Sequence, residues 1–125
     1  LTTFENDDAL DWVYLLEKAQ DTSILEDTLS LVLDGEEFLE ASDSCTALAA
    51  AEVVAALNGS PSSYLPDEVT QWVTGKGEPG PALLSRAKRA IEAILQASEL
   101  KELWKETDEY EDWLEEVEGL LERLE

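Results

Sequence analysis

Apolar residues recur along this chain at helical intervals, and no segment sustains the alternation that would predict a strand. Ala9, Trp12, Val13, Leu16 and Ala19 share one face of a helix expected from about Asp7 to Ala19, with Asp11 and Lys18 opposite. Asn6 is placed to cap it, and Asp7 and Asp8 suit the positive end of its dipole. Thr22 or Ser23 predicts the start of a second helix with Leu25, Leu29, Val32 and Leu33 as its stripe, ended by Gly35. A short turn over Glu36 to Glu40, carrying Phe38 and Leu39, should follow.

A third helix is expected from Ser42 or Ser44 to just before Asn58-Gly59. Its Ala-rich stretch, Ala47 to Leu57, allows close helix approach and predicts a central, tightly packed element. Ser60 to Pro66 reads as a loop, with Pro66 as the first residue of a short helix carrying Val69, Trp72 and Val73. Gly75, Gly77, Pro79, Gly80 and Pro81 then break the chain, making this the connection most open to movement. A fifth helix follows from about Pro81 to Ala97, with Leu84, Ala87, Ile91, Ile94, Leu95 and Ser98 on one face. Leu100, Leu103 and Trp104 form a short turn of helix. The last helix, about Asp108 to Leu124, carries Tyr110, Leu114, Val117, Leu121 and Leu124, widened by Trp113 and Leu120. The fold class is therefore all-α: a compact orthogonal bundle of about five to seven helices, one domain over residues 1–125.

Charge changes what such a bundle can do. Thirty acidic residues against eight basic ones leave a net charge of −22. The hydrophobic share of 44% still supplies a core, so the chain does not read as disordered. Phosphate backbones and anionic lipid surfaces repel such a molecule, which disfavours direct nucleic-acid or membrane binding and favours a basic protein partner. No stretch approaches the roughly 18 consecutive apolar residues of a membrane helix. The single cysteine, Cys45, fits a reducing, cytoplasmic setting.

The chemistry is narrowed by what is missing. With no histidine, His-based acid–base catalysis, Ser-His triads and His metal ligands are excluded within this sequence, and one cysteine cannot build a thiolate zinc cluster. The segment Gly75 to Gly80 lacks the Gly-Lys-Ser/Thr ending of a phosphate loop. No cofactor and no catalytic residue is expected.

Four groups remain. Glu5, Asn6, Asp7, Asp8 and Asp11 read either as a helix start with dipole-favoured acids or as a carboxylate site for a divalent metal. Glu52, inside an Ala/Val stretch, reads as a structural carboxylate paired with an arginine such as Arg86, or as a base in a cleft. Arg86, Lys88 and Arg89 read as neutralisers of nearby acids or as an anion patch. The acidic face of the last helix, notably Glu109, Asp112, Glu115 and Glu116, reads as a solvated face or as a docking surface for a basic protein. The four tryptophans fit core stripes better than a ligand cage.

The run from Phe4 to Trp12 (Phe-Glu-Asn-Asp-Asp-Ala-Leu-Asp-Trp) resembles the opening of a bacterial family known as domain of unknown function 4259. Ala49 to Leu57, Leu65 to Val69 with Trp72-Val73, and Ser98 to Trp104 resemble its later motifs. The resemblance implies a helical fold and a bacterial origin, and brings no activity or site residues. Family members carry a short Gly/Trp segment before the Phe, so a missing leading segment is expected here. Two functional readings emerge. The first is a non-enzymatic cytoplasmic interaction domain for a basic partner, such as a toxin-neutralising or regulatory protein. The second is a metal-binding protein with hydrolytic activity using Asp7, Asp8, Asp11 and Glu52. Adaptation to high salt is a further source of such acidity.

Overall fold

The computed structural model describes residues 4, 6–34, 39–63, 65–96 and 98–125. Among them the helical spacings give seven helices and no strand: α1 (Asp7–Lys18), α2 (Ser23–Leu33), α3 (Ala41–Leu57), α4 (Asp67–Val73), α5 (Pro81–Gln96), α6 (Glu99–Lys105) and α7 (Tyr110–Arg123).

Local chemistry sets their ends. Asn6 Oδ1 accepts from the Ala9 amide at 2.8 Å, capping α1 as its sequence requires. At α2 neither expected cap acts through its own oxygen. The Asp21 carboxylate accepts from the Ser23 hydroxyl at 2.6 Å and the Ser23 amide at 3.0 Å. These two bonds, the hydroxyl first, hold the Asp21 carboxyl below its usual range. The expected stop at Gly35 and the turn carrying Phe38 lie outside the described residues; α2 ends at Leu33. Pro66 stands one residue outside α4, as its N-cap with extended ψ, rather than as its first residue.

α3 starts earlier than its serines suggested. Its N-cap is Glu40, which makes no side-chain cap bond. The free amide of Ala41 is instead met by Glu99 Oε1, at 2.8 Å, from the first turn of α6. Beside it the Glu99 amide donates to the Leu39 carbonyl at 2.8 Å, and Leu39 and Ser98 form a lone parallel bridge. Ser98 caps α6 by accepting from the Lys101 amide, while its own hydroxyl donates to the Ile94 carbonyl at the end of α5.

The Ala-rich stretch of α3 puts apolar atoms on every face, so from Ala47 to Ala55 this helix has no solvent side. All of Ala47 to Ala55 is buried, and α3 packs against each of the other six helices. Small side chains make that crowding sterically possible. The outer helices turn single stripes inward. α5 buries Leu83, Ala87, Ala90, Ile91 and Ile94, leaving Leu84 and Leu95 half-buried. α7 buries Trp113, Val117 and Leu120, with its C-cap Leu124 buried beyond them, so its core stripe is turned from the expected one, whose Tyr110, Leu114 and Leu121 are half-buried. The buried Trp113 ring stacks on Trp104 of α6 and on Tyr110, at centroid distances of 6.3 and 6.1 Å. Trp12 and Trp72 are also core residues. Their indole N–H groups donate to Thr28 Oγ1 at 2.8 Å and to the Ala19 carbonyl at 3.0 Å.

No helix among the described residues is long and apolar enough to cross a membrane.

Candidate functional site

The turn of α7 that buries Trp113 and Val117 also decides where its acids point. Asp112, Glu115, Glu116, Gly119 and Arg123 recur at helical spacing along one stripe beside the core stripe. That stripe faces the loop after α3, and with Pro61, Ser62 and Ser63 it encloses an open groove of about 710 Å³. Three of the four α7 acids singled out by sequence therefore come together. Glu109 does not: it is the exposed N-cap residue of α7 and is not part of the groove lining.

Arg123 anchors this groove to the core. Its Nη1 and Nη2 donate to Glu52 Oε1 at 2.8 Å and Oε2 at 3.0 Å, a two-pronged ion pair across 71 positions of sequence. Nη1 also donates to the Ser60 carbonyl at 3.2 Å, so one guanidinium ties α7, α3 and the loop together. Glu52 is 1% exposed and Arg123 26%. A buried carboxylate of this kind persists only with a cation beside it, since the desolvation of an unpaired charge costs several kcal/mol. Arg86 is not that cation. It lies on α5, which packs against α2, and its guanidinium donates to Ser30 Oγ. Arg123 escaped the sequence reading, although it is the only base in the sequence after Lys105. Gly119 escaped too; it gives the groove a stretch of wall without a side chain.

The α1 acids are placed elsewhere. Asp7, Asp8 and Asp11 are exposed on the first turns of α1, and Glu5 lies outside the described residues. Asp8 and Asp11 share a hollow with Asp43 of α3. Glu52 sits nine residues further along α3, about 13 Å away at 1.5 Å per residue, and is held by Arg123. Among the described residues no group of three or more Asp, Glu, Cys or His is arranged to hold a metal ion.

Cys45 is buried, and its thiol is pushed up from 9.0 to about 11, first by burial and then by the charge of Asp8. A thiol so protonated is a poor nucleophile at neutral pH.

Comparison with curated proteins finds no match, and comparison with solved structures finds none either. A protein-family model described as "Domain of unknown function (DUF4259)" matches residues 1–116, from ahead of α1 into the acidic turns of α7, and the chain belongs to that family.

Proposed function

We propose that this protein is a non-enzymatic, cytoplasmic interaction domain that receives a basic segment of a protein partner in the groove between residues 61–63 and α7. The observation that carries this reading is the convergence of Asp112, Glu115 and Glu116 on one open groove in a molecule of net charge −22. Arg123, the cation of the groove lining, is paired with Glu52, and the net charge of −22 gives the molecule a negative field. Such a field speeds the approach of basic partners and makes association sensitive to salt. The non-enzymatic part is supported by the absence of histidine and by the protonated state of Cys45. The metal reading on Asp7, Asp8, Asp11 and Glu52 has less support, because Glu52 is engaged by Arg123 and stands apart from the α1 acids.

An NMR titration with an arginine-rich peptide tests the groove. Amide shifts should concentrate on residues 61–63 and 112–123. The Asp112→Asn/Glu115→Gln variant should bind more weakly and with a shallower salt dependence. Shifts spread evenly over every acidic helix, or unchanged binding by the variant, would sink the proposal.

A further inference from the structure

A second face carries a different kind of surface. Leu15 of α1 is 57% exposed and Leu31 of α2 is 49% exposed, and both line one hollow of about 350 Å³ between α1, α2 and the start of α3. Its floor includes Trp12 and Thr28. The Trp12 indole N–H is satisfied by Thr28 Oγ1, and the Thr28 hydroxyl is itself satisfied by the Ile24 carbonyl at 2.7 Å. The polar atoms of that floor are thus turned to one another, and the floor can accept apolar side chains without stranding a hydrogen bond. Around it stand three carboxylates from two helices, Asp8, Asp11 and Asp43.

We infer that this hollow is a docking site for an amphipathic helix of a partner protein, one with leucine-sized side chains on one face and arginine or lysine at its flanks. The two leucines supply the apolar contact, and the three aspartates select the sign of the partner. A second copy of this chain is a poor occupant, since its own charge of −22 would meet the same acidic rim. This site stands apart from the α7 groove and shares no residue with it.

The test uses the full chain and a synthetic helical peptide with leucines at i and i+4 and arginines on either side. A scrambled peptide of identical composition is the control. The ordered peptide should bind with shifts on the α1–α2 face that the scrambled peptide does not produce. Leu15→Asn and Leu31→Asn, both at half-exposed positions, should each weaken it by about tenfold while leaving the far-UV spectrum and Tm near wild type. Asp11→Asn/Asp43→Asn should reduce the salt dependence of binding. Absence of binding, equal affinity for the scrambled peptide, or no shifts on the α1–α2 face would overturn the site. Sedimentation that shows a dimer dispersed by the leucine variants would overturn the choice of occupant.

Discussion

Removing the guanidinium of Arg123 should be among the most damaging single changes at the surface of this protein. Arg123→Ala leaves the Glu52 carboxylate, 1% exposed, with neither of its two hydrogen bonds. Breaking a buried pair from one side costs ~3–5 kcal/mol. The arginine is 26% exposed, so water can follow into the vacated space, which places the expected loss near the lower end, about 3 kcal/mol. The reverse change is milder. Glu52→Gln keeps an acceptor for one guanidinium N–H and leaves a cation that can turn toward water, so its cost should be about 1–2 kcal/mol. Urea unfolding followed by tryptophan fluorescence reads both values from the shift in midpoint at constant slope. For a chain of this length the larger loss corresponds to a Tm drop on the order of 10 °C. A cost below about 1 kcal/mol for Arg123→Ala would show that water already reaches the carboxylate, and the burial reasoning would be wrong. A larger loss from Glu52→Gln than from Arg123→Ala would refute the asymmetry itself.

Two further outcomes follow from single residues. A Cβ added at Gly119 meets nothing within 4 Å, so Gly119→Ala should raise stability by about 0.5–1 kcal/mol, seen as a higher urea midpoint. If it instead destabilises the fold, the groove wall is closer than described. Cys45 keeps its proton to about pH 11 in the fold, whereas the unfolded thiol loses it near 9.0. Its stabilising contribution is therefore complete below pH 9 and declines as pH rises from 9 toward 11. Cys45→Ala should flatten that part of the stability profile, and an unchanged profile would show that the thiol is not protected.

The helical stripes were legible because each outer helix has a single inward face, and that periodicity depends on nothing distant in sequence. The cap at Asn6 was legible for the same reason: its bond closes within three residues. The start of α3 was not, because its amide is capped by Glu99, 58 positions away. The partner of Glu52 was hidden likewise. Sequence shows that a carboxylate in an Ala/Val run needs a cation, but which arginine reaches it depends on how α7 packs on α3. The acidic face of α7 could be read as acidic, but its division into groove and solvent could not. That division follows from how α7 packs with Trp113, Val117 and Leu120 inward, which brings Asp112, Glu115 and Glu116 to the groove and leaves Glu109 outside it.

A stretch of helix with no solvent side has a life before the fold closes around it. During synthesis the apolar run from Ala47 to Leu57 leaves the ribosome well before α7, which completes its cover, has been made. Until then it is a sticky segment, of the kind through which nascent chains coalesce. Seventeen acidic residues lie in the first 80 positions against two bases, so growing chains repel one another while that segment waits. The acidity that shapes the finished surface also keeps growing chains apart, so a variant with many of these acids neutralised should meet its first failure in the cell as aggregation at expression.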